Sequence, residues 1–237
     1  MEKRALTGLT VIEFGDFISA PYCAKLLADM GAKVIKVEEP DVGDSSRRMG
    51  PFLHDSPHQE RSGLFLYLNT SKLGITLNVE SSTGLGILKN LLKGADILVE
   101  NNRPQKMKKL GLDYASIEKI NSRLIMTSIT PFGQTGPYRD YKARDLICFH
   151  MGGLGYTTPR DVKNIETEQP LKAAGRQADF PSGLLAAVAT LCAVVERRAT
   201  GRGQHIDVSE QECVALLLQR AVSFYTYAGK IIERSGE

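Results

Sequence analysis

The stretch GRQADFPSGLLAAV, Gly175 to Val188, sets one carboxylate, Asp179, among small residues at the mouth of a long apolar run. Two roles are open to it. An Asp at a helix start commonly caps the free amides of the first turn. A carboxylate in a binding site can instead act as a covalent nucleophile. Basic residues form a second candidate set. Lys72 lies in the turn NTSKLG; Arg103, Lys106, Lys108 and Lys109 follow the apolar segment DILVEN; Lys142 and Arg144 follow RLIMTSITPFG. Gathered on one edge of a parallel sheet, these would form an electropositive rim for a phosphorylated ligand. Scattered, they are a solvated charged face.

Other chemistries find little support. His54 and His58 are four apart, but Pro57 between them opposes a helix that would align them as metal ligands. The four cysteines form no CxxC pair and read as reduced buried thiols. MGGLG at 151–155 lacks the Lys-Ser/Thr of a phosphate loop and reads as close packing plus a turn. No metal site is expected.

The elements that must position Asp179 and the lysines follow from the hydrophobic pattern. LTGLTVIEFG is a short buried strand, APYCAKLLADMG an amphipathic helix stopped by Gly31, and AKVIKVEEP a second strand ended by Pro40. Strand, helix, strand in so short a span is a right-handed βαβ unit. A long polar loop, rich in Gly, Pro and Ser, follows. LFLYLNTSK and GITLNVES read as an apolar segment, a turn and a strand. SSTGLGILKNLLKGA is a helix capped by Ser82 or Thr83. DILVEN and RLIMTSITPFG are strands, separated by a helix broken near Gly111. DFPSGLLAAVATLCAVVERRATG is a helix of about six turns, with Asp179 at its N-cap, Pro181 in its first turn, Gly201 as its stop, and an Ala-rich body expected to pack on the sheet. GQHIDVS is one more strand, and EQECVALLLQRAVSFYTYAG a final amphipathic helix.

The strands thus end in polar residues: Glu38-Glu39, Glu100-Asn101 and Ser128 to Thr130. In open α/β sheets, ligands bind outside the carboxyl ends of the strands, so the site is expected there. Glu38 stands where an acidic residue would bind a ribose in a dinucleotide fold. The glycine fingerprint is missing, however: the first loop reads GDFISAP, and Phe17 and Ile18 would hold a pyrophosphate off the backbone. A nicotinamide or flavin cofactor is therefore not expected.

With 237 residues, 42% hydrophobic and 24% charged, the chain has the balance of a globular protein. A net charge of +3 is too small to imply nucleic acid. No apolar run approaches the roughly 20 residues that a membrane span needs, and MEKRALTGLT carries a charge cluster with no long apolar core after it, so it does not read as a signal peptide. The chain reads as cytosolic.

Taken in order, the segments GLTVIEFGDFISAPYCAKLLADMGAKVIKVEEPDVGDSSR, LNTSKLGITLNVES, ADILVENNRPQKMKKLGLDY, SITPFGQTGPY, ARDLICFHMGGLG and ERRATGRGQHIDVS resemble the family III CoA transferases. Formyl-CoA and carnitine CoA transferases belong to that family, and alpha-methylacyl-CoA racemase is a relative. The resemblance implies a Rossmann-like α/β domain that binds coenzyme A as a substrate, without NAD and without metal. It implies an aspartate nucleophile at Asp179. In that mechanism the carboxylate attacks an acyl-CoA thioester to give a mixed anhydride. Released CoA then makes an enzyme thioester, and a carboxylic acid acceptor takes the CoA. A helix N-terminus at Asp179 would favour its ionised form and offer amides to an oxyanion.

The resemblance also carries over Lys72, Asn101, Lys109 and Lys142 as neighbours of the CoA nucleotide or pantetheine. Phe17, Ile18, Ser19 and Ala20 match a segment whose backbone lines the CoA. Asn102 stands where many relatives have a Phe near the adenine, and Ile18 where formyl-CoA transferases have Gln. The racemase's histidine falls near Arg144, which is no base at neutral pH, although the adjacent Asp145 is retained; a transferase is favoured over a racemase or isomerase. Family members form interlocked dimers and carry a second, smaller domain. Residues 1–208 match the CoA-binding large domain, and 209–237 a helix and the start of a linker. The partners expected are acyl-CoA, a carboxylic acid, and a second copy or a chain supplying the remaining half. An inactive or partner-dependent CoA-binding subunit is the alternative.

Overall fold

A computed structural model describes residues 4–236. The amino-terminal Glu2 and Lys3 of the charge cluster lie outside the described residues. The chain runs β1 (Thr10–Phe14), α1 (Ser19–Asp29), β2 (Lys33–Glu38), α2 (Gly63–Leu68), β3 (Lys72–Thr76), α3 (Ser82–Lys93), β4 (Ile97–Glu100), α4 (Pro104–Leu110), α5 (Tyr114–Ile117) and β5 (Ile125–Thr130). It continues through α6 (Asp145–Met151), β6 (Asp161–Val162), α7 (Asp179–Thr200), β7 (His205–Ser209), α8 (Glu210–Leu216), α9 (Gln219–Ala228) and β8 (Ser235–Gly236).

Six strands form one sheet in the order β3-β2-β1-β4-β5-β7, and every pairing is parallel. This is the Rossmann-like α/β fold expected. The alternation along each central strand explains why helices cover both faces. Val11, Ile97, Val99, Ile125 and Ile129 point to one side and pack with α1 and α7. Ile12, Leu98 and Met126, one residue out of phase, point to the other and pack with Leu88, Leu92, Met107 and Ile117 of α3, α4 and α5. Strand order reverses between β1 and β4, which opens a crevice at their carboxyl ends.

α7 lies against α1 as well as β5. A side chain at Gly183 would put its Cβ 2.6 Å from the Ser19 carbonyl oxygen, so the two helices touch backbone to backbone there. On the sheet side, the Thr190 and Thr127 hydroxyls hydrogen-bond at 2.7 Å. Contrary to the sequence expectation, one helix among the described residues, α7, is by length and composition apolar enough to cross a membrane. Its buried residues, Ala186, Ala187, Ala193 and Val194 among them, belong to the core shared with α1 and the sheet.

Several boundaries differ from the sequence reading. Helix α3 is capped by Ser81, whose hydroxyl accepts the Gly84 amide at 3.0 Å, one residue earlier than expected. The carboxy-terminal helix is two, α8 and α9, because the chain turns at Leu217 and Leu218. α8 buries Cys213 and Val214, while α9 buries no residue. Gly152 of the MGGLG segment sits where a Cβ would strike Val214 of α8 at 2.5 Å, so this glycine serves packing. All four cysteines are free; Cys23, Cys148 and Cys213 are buried, whereas Cys192, on the outer side of α7, is exposed and departs from the expectation of buried thiols.

Candidate functional site

The crevice at the strand ends is a cleft of about 1780 Å³. It exceeds the roughly 300–1,000 Å³ of a drug-sized ligand's pocket and so suits an extended ligand. Its walls come from the β1–α1 loop, the ends of β2 and β5, the Asn101 to Arg103 segment after β4, α4, the loop after β5, and the starts of α6, α7 and α8.

The β1–α1 loop is held from below by an ionic cluster. Lys36 of β2 reaches Glu13 of β1 at 2.6 Å and Asp44 at 2.6 Å, and Lys72 reaches Glu13 at 2.7 Å. Burial alone would lower the Lys36 pKa; the two carboxylates overcome it and hold the ammonium raised. Asp44 in turn accepts from the Phe17 amide at 3.3 Å and the Ser46 amide at 2.8 Å. Phe17 adopts a left-handed backbone with φ 69°, which a bulky residue rarely takes. Its ring lies under the Arg176 guanidinium, 4.8 Å from the centroid. Strain of this kind persists only where its surroundings over-determine it.

Asn101 clamps the same loop. Its Oδ1 accepts the Asp16 amide at 2.8 Å, and its Nδ2 donates to the Asp16 carbonyl at 2.7 Å and the Ser19 hydroxyl at 3.1 Å. Asn102 donates its amide to Glu100 at 2.7 Å and its Nδ2 to the Phe14 carbonyl at 2.7 Å. Both asparagines line the cleft, with their side-chain groups committed to shaping it.

Asp179 sits at the inner end, 7% exposed. It is the first residue of α7, not its N-cap: Ala178 holds that position with a helical backbone, and no side chain caps the helix. The reason is that the turn before Asp179 is already wound. Ala178 donates its amide to Asp145 at 2.7 Å, Phe180 to the Arg176 carbonyl at 3.3 Å, and Ser182 to the Ala178 carbonyl at 3.1 Å. Three of the amides expected to serve an oxyanion are thus spent. Asp179 Oδ2 is buried with no hydrogen-bond partner. Burial first, and then the Asp145 charge, push its pKa up from 3.8 to about 6, while Arg176, Lys172 and Arg144 pull against them. The expectation of an N-cap aspartate whose ionised form the helix N-terminus favours is therefore corrected.

The other predicted residues divide. Lys109 and Lys142 line the cleft together with Arg103, Lys106 and Arg144. Lys72 does not: it opens β3 instead of lying in a turn, and its ammonium is buried between Glu13, the Pro21 carbonyl at 2.8 Å and Asn69 at 2.9 Å. Lys108 is not part of the wall. Phe17, Ile18 and Ser19 are. The Ile18 side chain is fully buried, so it obstructs nothing in the cleft. Ala20 lies behind the loop, where a Cβ on Gly15 would meet its own at 2.4 Å. Glu38 is unavailable to a ribose, since it binds Arg47 through both oxygens at 2.8 and 2.9 Å and accepts the Asp44 amide.

Sequence reasoning missed Glu210, Lys172 and Arg176. Glu210 follows directly on β7, so the strand-end rule applied to β2, β4 and β5 would have found it. Lys172 and Arg176 lie in an irregular segment with no periodic signal. Among the described residues, no group of three or more His, Cys, Asp or Glu is arranged to hold a metal ion.

Residues 6–237 match the family model described as CoA-transferase family III. The chain is 38% identical over 211 residues to the succinyl-CoA:(R)-benzylsuccinate CoA-transferase subunit BbsE of Thauera aromatica, across 89% of this chain and 50% of that protein. It is 34% identical over 230 residues to the succinate–glutarate CoA-transferase of Agrobacterium fabrum, across 96% of this chain and 56% of that one. The crystal structure of a CAIB/BAIF family protein from Brucella suis superposes with a TM-score of 0.87 at 33% identity, covering 99% of this chain and 61% of that one. The chain spans about half the length of the curated relatives it matches.

Proposed function

The chain belongs to CoA-transferase family III, and on that premise we propose that its cleft takes an acyl-CoA and passes the CoA to a carboxylic acid, with Asp179 as nucleophile. The observation that carries this reading is the buried, unpartnered Oδ2 of Asp179 at the inner end of a cleft too large for a small ligand. A buried carboxylate oxygen that lines a cleft and has no hydrogen-bond partner is open to a ligand. In the proposed reaction Asp179 attacks the thioester carbonyl carbon and expels CoA as its thiolate. The resulting mixed anhydride is opened by the thiolate to an aspartyl-CoA thioester, and the freed acid departs. The acceptor acid then runs both steps in reverse.

The lysines and arginines support the position of the CoA. Arg103, Lys106, Lys109 and Lys142 lie along the cleft and suit its phosphates. Arg144, Lys172 and Arg176 gather near Asp179 and suit a carboxylate on the acyl group or on the acceptor. The relatives named for succinyl-CoA support a dicarboxylic acyl group. Relatives named as subunits support an active form built from more than one polypeptide, either two copies or two different chains. Residues 1–208 serve as the CoA-binding domain in this reading, and 209–237 lead toward the remainder of the enzyme.

The test is trapping. The enzyme in its native assembly is incubated with succinyl-CoA and hydroxylamine, and the peptide holding Asp179 is weighed. A hydroxamate at Asp179, absent in the Asp179→Asn variant, is expected. Turnover with no label on that peptide would overturn the nucleophile.

A further inference from the structure

Glu210 is a second carboxyl at the same end of the cleft. It opens α8 one residue after β7 ends, is 6% exposed, and lines the cleft with Asp179. The Cys148 thiol donates to its Oε2 at 3.6 Å, and the Ser19 hydroxyl hydrogen-bonds it from α1. No Lys, Arg or His pairs with it among the described residues. Asp145 differs, because Lys172 holds its Oδ2 at 2.8 Å.

Two carboxyls facing one another in a buried site do not both ionise readily. Their surroundings decide which one keeps the proton. Arg144, Lys172 and Arg176 all act on Asp179 and favour its charge. Glu210 faces Asp179 on α7, Asp145 and Cys148 on α6, Ser19 on α1 and Cys213 on its own helix, and none of these is a cation. A carboxyl in such a setting keeps its proton to higher pH than its cation-flanked neighbour and can act as a neutral hydrogen-bond donor. Within the first turn of α7 the amides of Ala178, Phe180 and Ser182 are already bonded and Pro181 has none, so a donor from a neighbouring element is wanted there.

We propose that Glu210 is the protonated partner of Asp179 and donates a hydrogen bond to the thioester carbonyl oxygen while Asp179 attacks. The inference rests on the reading of Asp179 as nucleophile. An Asp179 oxygen forms the new C–O bond, and the carbonyl π pair moves onto oxygen. The Glu210 O–H holds that oxyanion. The pair then returns, the C–S bond breaks, and the negative charge leaves on sulfur as CoA thiolate. The proton stays on Glu210 throughout, so the same donor serves the reverse steps. Burial and the Asp179 charge raise the Glu210 pKa from 4.5 to about 7, which supports the assignment.

The test uses Glu210→Gln, which keeps a donor that cannot ionise, and Glu210→Leu, which removes it, both in the native assembly. Hydroxylamine trapping at Asp179 and the pH profile of kcat are the readouts. Trapping is expected to slow by on the order of 10²–10³-fold in the Leu variant, and to stay within about tenfold of native in the Gln variant. In the native enzyme kcat should rise with pH as Asp179 ionises and fall as Glu210 loses its proton, through about 7; the fall should vanish in Glu210→Gln. Equal trapping in native, Gln and Leu enzymes overturns this proposal alone. A falling limb retained in the Gln variant does the same, even if the Leu variant does not fold. No label at Asp179 in the native enzyme overturns both this proposal and the nucleophile reading.

Discussion

Asp145 Oδ1 accepts the amide proton of Ala178 at 2.7 Å, which fixes the residue directly ahead of Asp179. The other Asp145 oxygen is held by Lys172 at 2.8 Å. One buried carboxylate therefore ties α6 to the entry of α7 and sets the direction in which Asp179 leaves the backbone. It also raises the Asp179 pKa by its charge.

Asp145→Asn should separate these roles. The amide oxygen still accepts from Ala178, but the charge is gone and Lys172 is released. Without the negative neighbour the Asp179 pKa falls below its present value of about 6. The acid limb of the kcat profile should move to lower pH, by on the order of one pH unit. An unchanged limb would mean that Asp145 does not act on Asp179 through charge. Asp145→Ala, which also strands the Ala178 amide and Lys172, should cost about 3–5 kcal/mol in urea unfolding.

Glu100 offers a pH test independent of the reaction. It is fully buried at the end of β4, and burial raises its pKa from 4.5 to about 7. A carboxyl raised on folding contributes stability that is complete below its unfolded pKa and is lost as the pH rises through its folded one. Glu100→Gln keeps the acceptor for the Asn102 amide and cannot ionise. Its stability should match the native chain at pH 4 and exceed it by roughly 1–3 kcal/mol at pH 8. A gain of equal size at both pH values would rule out ionisation as the cause.

Lys36→Met should strand Asp44 and leave Glu13 to Lys72 alone, since Lys36 now reaches both carboxylates at 2.6 Å. Breaking a buried pair by removing one partner costs about 3–5 kcal/mol. Urea unfolding at pH 7 should show that loss, and the deficit should shrink at acid pH, where the Asp44 carboxyl, held low by Lys36 in the native chain, takes up a proton. Because Asp44 holds the Phe17 amide, CoA affinity measured by calorimetry should fall as well.

Gly183→Ala places a methyl group 2.6 Å from the Ser19 carbonyl and 3.2 Å from the Tyr22 Cβ. The contact is with backbone, so α1 and α7 must separate, at a cost of about 1–3 kcal/mol. Thermal unfolding should register it. A variant as stable as the native chain would show that the two helices slide apart freely.

Much of the fold was legible in the sequence because its signals are local. The central strands read as strands because both faces are buried and their apolar runs are continuous, as in Val11-Ile12 and Ile97 to Val99. The stop of α7 at Gly201 and the break at Gly111 were legible from glycines, and both adopt a left-handed backbone. Lys72 was misread because a lysine after NTS resembles a turn. Its burial depends on Glu13, a residue 59 positions earlier.

The candidate site was legible in part. The strand-end rule located the cleft, and the family resemblance singled out Asp179. Sequence alone determined which residue types stand at the carboxyl ends of the strands, since these follow from chain order and hydrophobic period. Only the tertiary structure decided what each of them does. It wound the turn before Asp179, left Oδ2 unpartnered, drew Lys72 under the loop, and brought Glu210 beside Asp179 from a helix 31 residues later in the chain. The physical reason is that burial and charge are sums over neighbours in space, and the pKa values and free hydrogen bonds that chemistry depends on are set by those sums.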